Sequence, residues 1–287
     1  MEGAAYPGGS HTGSTGLIGW CREVVILLAQ TYKGIDVSVY QGEIDFEKVK
    51  AAGIEVVYIR AGYGMEEDER FRVNAAAARK AGMNLGFYFF VKAETAAQAE
   101  EQGRYFAGLI RDTPYTCRPA VDFEEYGELS AEALNEIALA FARTVEGETG
   151  HTPIFYTNVS SVKTKWKEAL TRYPLWIAEW GVSEPASLGN WSEWAGFQYD
   201  NTGRVDGISA DVDLDTFTEE VLLEAESGPF SDVLEGAWYY DAVLWAKEAG
   251  IVEGYADGKF YPKKDATRAE VVTMLYRLAE YWKKETT

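Results

Sequence analysis

The stretch RPAVDFEEYG (118–127) ends an apolar run with three carboxylates, Asp122, Glu124 and Glu125. Carboxylates are costly to bury and crowd together where they are paired or put to work. On an extended chain, side chains two apart point the same way. Asp122 and Glu124 therefore share one face, and Phe123 and Glu125 take the other. Two like charges on one face push one pKa upward, so one group can keep its proton near neutral pH. A protonated carboxylic acid beside an ionised one is the equipment for breaking a glycosidic bond. The plainer alternative, that acids after a strand cap the next helix or sit in solvent, suits Glu125 and Glu128.

Other chemistry fails on residue type. GYGMEE (62–67) starts like a dinucleotide loop but has Glu67 where the third Gly belongs. GISAD (207–211) lacks the closing Gly of a serine nucleophile elbow. DVDLDTFTEEVL (211–222) alternates Asp like a calcium loop, but Thr216 replaces the turn Gly and Leu222 the closing Glu. With only His11 and His151 in the chain, no His-based metal site is expected, and no cofactor.

The acids must be positioned by the elements around them. Apolar runs at 34–40, 54–64, 84–92, 118–124, 152–158, 174–181, 194–200 and 203–217 read as strands. Helical patterns separate the first five, at 45–53, 69–82, about 95–111 and 130–150, with a further helix through 166–170. After that the helices shrink. Strands apolar throughout and alternating with helices imply a parallel sheet covered on both faces. Eight of them fit a closed barrel, an α/β fold whose active-site mouth lies at the C-terminal strand ends. At those ends stand Asp36, Arg60 with Tyr63, Tyr88, Asp122 with Glu124, Tyr156, Trp176 with Glu179, Gln198, and Asp211 with Asp213. Asp36 and Asp213 neighbour the Asp122–Glu124 pair only if the sheet closes.

Composition narrows the partners. The net charge of −19 and pI near 4.6 disfavour nucleic acid, whose phosphates would be repelled. Aromatics at 14%, nine of them Trp, suit a carbohydrate cleft as well as a core. No run is apolar and long enough to span a membrane. The segment 17–30 comes nearest to a signal sequence but carries Arg22 and Glu23 within it and lacks a basic start. With the Gly/Ser-rich 7–16 it is expected to form an N-terminal appendage, 1–33. Cys21 and Cys117 could form one bridge or stay as two thiols.

GIDVSVYQGEIDFEKVKAAGIEVVYIRAGYG, AVDFEE, IFYTN, PLWIAEW, GFQYD and GISADVDLD, in order from 34 to 217, resemble glycoside hydrolase family 25, lysozymes of the N-acetylmuramidase type. The resemblance implies a modified TIM-like β/α barrel with reduced last helices, over 34–218. It implies Glu124 as general acid/base, Asp122 beside it to orient the substrate acetamido group or stabilise developing charge, and Asp36 and Asp213 completing an acidic floor. Tyr63, Tyr88, Tyr156, Trp176 and Gln198 would shape the sugar subsite, with Arg60 and Glu179 on the same rim. A nearby carboxylate, a water or the substrate's own N-acetyl oxygen could attack, and the N-acetyl route is favoured. The sequence departs from the family at Phe89, where many members carry a His; this bears on substrate contacts.

After an acidic linker (219–228), FSDV, Trp238, GIVEGYADGKFYP and TRAE follow in the order of one surface-layer homology (SLH) repeat, 229–284. Thr267 and Glu270 form a capping box, and Asp257-Gly258 is a turn signal. The resemblance suggests Trp238, Asp257 and Arg268 as groove residues for secondary cell-wall polysaccharide. A lone repeat buries little apolar surface, so docking on the barrel or association of copies, as a trimer, is expected. The combined expectation is an extracellular or cell wall-associated hydrolase cutting the β-1,4 bond between N-acetylmuramic acid and N-acetylglucosamine in peptidoglycan. The rivals are a non-catalytic wall-binding protein and a hydrolase of another N-acetylhexosamine polymer.

Overall fold

The computed structural model describes residues 30–223, 230–233 and 237–285. Most of the appendage, including Cys21, lies outside the described residues; Cys117 is fully buried.

The chain runs β1 (Thr31–Val37), α1 (Phe46–Ala51), β2 (Val56–Tyr63), β3 (Glu66–Glu67), α2 (Phe71–Lys80), β4 (Asn84–Phe90), α3 (Ala96–Ile110), β5 (Ala120–Asp122) and α4 (Ala131–Thr149). It continues through β6 (Ile154–Asn158), α5 (Val159–Thr164), β7 (Leu175–Ala178), β8 (Gly196–Gly203) and β9 (Val212–Thr218). The sheet order is β1-β9-β8-β7-β6-β5-β4-β2-β3, and a further β1–β2 pairing closes it into a ring of eight strands, with β3 a short hairpin on β2. The expectation of eight parallel strands is corrected at the seam: β9 pairs antiparallel with both β1 and β8. With no helix between β8 and β9, the chain simply turns back, as antiparallel neighbours allow. The reversal puts the N-terminal end of β9, not its C-terminal end, at the mouth, and Asp213 pairs opposite Asp36.

Local boundaries also differ from the pattern. Val37 ends β1, because Ser38 caps a 3-10 turn at Val39–Gln41 in a capping box with Gln41. The helix expected at 166–170 lies at Val159–Thr164, started by Asn158, whose side chain accepts from Ser161 N; only a 3-10 turn remains at Glu168–Leu170. The barrel unit begins at Thr31 and continues past β9, where Leu222 bridges to Cys117.

The two-residue period sorts the core. Val57, Ile59, Leu85, Phe87, Phe89 and Val121 point outward under the helices. Inward, Tyr58, Trp176 and Phe217 meet with ring centroids 4.8–5.3 Å apart and plug the barrel. Gly34 and Gly196 make the plug possible: a Cβ on Gly34 would lie 2.3 Å from the Phe217 ring, and one on Gly196 2.8 Å from Phe217 and Trp176. The next inward residues along several strands are Asp36, Arg60, Tyr88, Asp122 and Gln198, so the polar groups rest on a dry aromatic floor.

The C-terminal unit has α6 (Tyr240–Glu248), α7 (Arg268–Glu285) and a separate small core of Phe230, Val233, Val243, Ile251 and Val252. Thr267 and Glu270 form the capping box: Thr267 N donates to Glu270 Oε2 (2.7 Å) and Glu270 N to Thr267 Oγ1 (3.2 Å). Among the described residues no helix is long and apolar enough to cross a membrane.

Candidate active site

A cavity of ≈ 340 Å³ opens at the barrel mouth, and Asp36, Asp122, Glu124 and Asp213 all line it. Asp122 ends β5, and the alternation continues beyond the strand, so Glu124 returns to the cavity while Phe123 is buried and Glu125 is exposed. Arg60, Tyr88, Tyr156, Trp176 and Gln198 also reach the cavity.

Two residues expected at the subsite do not line it. The Tyr63 hydroxyl donates to Glu66 Oε2 (2.7 Å), and its ring lies beside the Arg60 and Lys92 cations. Glu179 accepts from Ala186 N (2.6 Å), which pins the loop after β7. Trp176 touches the cavity but is only 2% exposed within the aromatic plug, so it braces the floor and offers no sugar-stacking face.

A hydrogen-bond chain fixes the acids' neighbours. Gln198 Nε2 donates to Asp36 Oδ2 (2.7 Å), while Gln198 Oε1 accepts from Tyr156 OH (3.0 Å) and Trp180 Nε1 (2.9 Å). On the other side, Asp68 holds Arg60 with Nε and Nη2 both at 2.8 Å. Asp68 also accepts from Val39 N and Arg70 N, which ties the hairpin loop to the end of β1.

Burial dominates the electrostatics. It pushes Asp36 and Asp122 well above the ordinary carboxylate range. Asp213 and Glu124 add to the rise at Asp36, and Glu124 and Asp36 add to it at Asp122, while the Gln198 amide pulls Asp36 back and the Arg60 guanidinium pulls Asp122 back. Glu124 is raised by burial first, then by the Asp213 and Glu125 charges. Asp213 is raised to about 6, chiefly by burial. Asp122 Oδ1 is sealed without a hydrogen-bond donor. Such a cluster holds protons near neutral pH and can deliver one to a leaving oxygen. Among the described residues no His, Cys, Asp and Glu cluster could hold a metal ion.

Residues 35–208 match the family described as glycosyl hydrolases family 25. The chain belongs to that family. Within family 25 likeness, the chain is 35% identical over 193 residues to an autolytic lysozyme of Clostridium acetobutylicum; the match spans 67% of this chain and 57% of that one. It is 34% identical over 200 residues to lysozyme M1 of Streptomyces globisporus, spanning 64% of this chain and 67% of that one. The crystal structure of a bacterial lysozyme from Streptomyces coelicolor superposes with a TM-score of 0.58 at 30% identity, covering 65% of this chain and 91% of that one. Residues 229–272 match the S-layer homology domain, and 60 residues are 45% identical to a surface-layer 125 kDa protein of Lysinibacillus sphaericus, covering 21% of this chain and 5% of that one.

Phe89, expected to bear on substrate contacts, lies away from the cleft. Phe89 points outward and packs on Phe106 and Phe141 beneath α3 and α4, so it alters no cavity contact. Pattern reading missed four residues. Trp180, 54% exposed, lies two residues beyond Ala178 on the face shared with Trp176, a spacing that could have found it. Tyr40, 77% exposed, lines the cavity from the 3-10 turn and had been placed inside a strand. Asp68 was hidden in a charged run, EEDER (66–70), that reads as a solvated turn. Asp215, fully buried behind Asp36, was masked by its resemblance to a failed calcium loop. In the C-terminal unit, Trp238 is 94% exposed, and Asp257 accepts from the Tyr261 hydroxyl. Arg268 is exposed at the start of α7. None of the three lines the ≈ 520 Å³ cavity of that unit, which lies between 251 and 277.

Proposed function

We propose that this chain hydrolyses peptidoglycan at the β-1,4 bond between N-acetylmuramic acid and N-acetylglucosamine. The observation that carries the reading is the convergence of Asp36 from β1, Asp122 and Glu124 from the end of β5, and Asp213 from β9 on one open cavity. Glu124, kept protonated by burial and by nearby carboxylates, donates its proton to the glycosidic oxygen and later deprotonates the incoming water. Asp122 accepts the N–H of the substrate's 2-acetamido group, whose oxygen attacks the anomeric carbon. Asp36 and Asp213 stabilise the positive charge that develops on the sugar ring. Tyr88, Tyr156, Gln198 and Arg60 line the sugar subsite, and the exposed rings of Trp180 and Tyr40 supply stacking faces at its rim. The test is loss of turbidity of purified cell walls. The wild-type chain clears them and Glu124→Gln, with an unchanged circular dichroism spectrum, does not; equal clearing by both removes Glu124 from the chemistry.

The C-terminal unit is proposed to hold the enzyme at the cell wall through secondary wall polysaccharide, with Trp238, Asp257 and Arg268 as contacts. Its helix α7 leaves Val272 65%, Leu275 59% and Tyr276 66% exposed. A row of apolar side chains of this kind suits the same unit of other copies, in a trimer. Light scattering of the full chain is expected to give a mass above one protomer, and Leu275→Glu with Val272→Glu to return it to 31.9 kDa. A wild-type chain already at the mass of one protomer removes the trimer.

A further inference from the structure

The inner face of β4 continues past the cavity. Tyr88 and Phe90 line the cavity, and the alternation runs on beyond the strand: Val91 and Ala93 are buried in the outer core, and Lys92 between them is exposed. Lys92 therefore rises from the rim on the face shared with Tyr88 and Phe90. Phe90 pairs opposite Asp122, and Val91 N donates to Asp122 O (2.7 Å), so this part of the rim adjoins the strand that carries the Asp122–Glu124 pair. Rings and cations alternate there. The Arg60 guanidinium lies 5.2 Å from the Tyr40 ring centroid and 5.4 Å from that of Tyr63. Lys92 Nζ lies 5.1 Å from the Tyr63 centroid and 5.8 Å from that of Phe90. The lysine stem passes over the turn after β2, where a Cβ on Gly64 would lie 3.7 Å from Lys92 Cβ and Cδ. The two cations differ in what holds them. Arg60 is bound by Asp68, whereas among the described residues Lys92 has no ion-pair partner. Glu66, across the hairpin from Tyr63, is engaged by the Tyr63 hydroxyl (2.7 Å). A lysine steadied by two rings instead of an acid leaves its charge to an incoming anion.

We propose that Lys92 is a specificity-determining residue that binds a substrate carboxylate projecting out of the cleft, on the lactyl side chain of N-acetylmuramic acid or on the peptide attached there. Four acids line the cavity of a chain whose net charge is −19, so a carboxylated sugar is repelled unless its charge is kept at the rim beside a cation. Lys92 stands outside the cavity lining, where it meets a substituent and not the sugar ring seated on the floor. N-acetylglucosamine bears no carboxylate. Lys92 therefore separates muramic-acid polymers from neutral N-acetylhexosamine polymers by charge. No bond is made or broken at the lysine. The inference deepens the muramidase reading and rests on it for the identity of the substrate.

The probes are soluble glycan fragments stripped of peptide, with the lactyl carboxyl free, and the same fragments with that carboxyl reduced to an alcohol. At low salt the wild-type chain is expected to show a KM about fivefold lower on the carboxylate form at equal kcat, the scale of an exposed ion pair, and to lose the advantage in about 0.5 M salt. Lys92→Met is expected to abolish the preference while cutting the reduced fragments as the wild type does, and Lys92→Arg to keep it. Fragments with the peptide intact, whose lactyl carboxyl is consumed in the amide bond, distinguish the source. A KM that depends on Lys92 with these alone assigns the contact to peptide carboxylates; dependence with the stripped fragments assigns it to the lactyl group. No dependence of KM on Lys92 with either set overturns the proposal. Calorimetric titration of the Glu124→Gln chain, with and without Lys92→Met, reads binding in the absence of turnover. If the wild-type chain cuts neither set, yet the carboxylate form binds more tightly and Lys92→Met removes the difference, the muramidase reading fails and the Lys92 contact stands.

Discussion

The barrel and the C-terminal unit use the same residue types to opposite ends. In the barrel, Asp36, Asp122, Glu124, Asp213 and Asp215 sit over a dry aromatic plug, and burial raises every one of them. In the C-terminal unit, Asp232 accepts from Phe260 N and Tyr261 N (both 2.7 Å), Asp257 from Tyr261 and Glu270 from Thr267, and these bonds leave all three below the ordinary range. Acids satisfied by backbone and hydroxyl donors in solvent build turns and caps. Acids deprived of donors in a cavity are left with protons to give. An acid cluster therefore becomes a candidate for chemistry through what its neighbours withhold, which the count of carboxylates alone does not reveal.

The largest expected effect falls on the barrel alone. Glu124→Gln should reduce hydrolysis of peptidoglycan fragments about 10²- to 10⁴-fold, the usual worth of a general acid, with the melting temperature unchanged or higher. A comparable loss from Glu270→Gln, measured on the same soluble fragments, would break the division between the two regions.

A middle-sized effect concerns pH, and its sign differs between the regions. Carboxyls whose folded pKa is raised bind more protons in the folded state, so the stability they contribute declines as pH rises through the window from about 4 upward. For Asp213 that window ends at about 6, and for Asp36, Asp122 and Asp215 the direction is the same. Carboxyls with a depressed folded pKa contribute stability present above the unfolded value and lost as pH falls, for Glu270 down to about 2. These last lie at the surface, so solvent screens much of their contribution. Scanning calorimetry from pH 3 to 8 is expected to show the barrel transition moving down with rising pH and the C-terminal transition moving up. Parallel movement would remove the contrast.

The smallest effect belongs to the cap. Thr267→Ala should destabilise the C-terminal unit by about 1 kcal/mol, read from its calorimetric transition, and leave turnover of soluble fragments intact.

Much of this was legible in residue order. The period of two gives both faces of each barrel strand, and the alternation Asp122–Phe123–Glu124 alone puts those two acids on one face. Closure of the ring followed from the count of strands, but the reversal of β9 did not, because an apolar strand reads the same in either direction. Helix α5 is displaced from the expected place because WKEAL (166–170) is richer in strong helix formers than VSSVKT, whose helix depends on a cap at Asn158. Burial was the hardest property to read. Trp176 is expected to face a sugar and instead fills the plug, while Asp68 and Asp215 are held by partners distant in the chain, Val39 and Trp176, which local pattern cannot supply.

The central claim is that the converging acids cut one particular bond. Mass analysis of purified peptidoglycan digested with the wild-type chain, after reduction of the new ends, names that bond directly. Fragments ending in reduced N-acetylmuramic acid, absent with Glu124→Gln, are the predicted result; fragments ending in reduced N-acetylglucosamine, or no fragments at all, would contradict it.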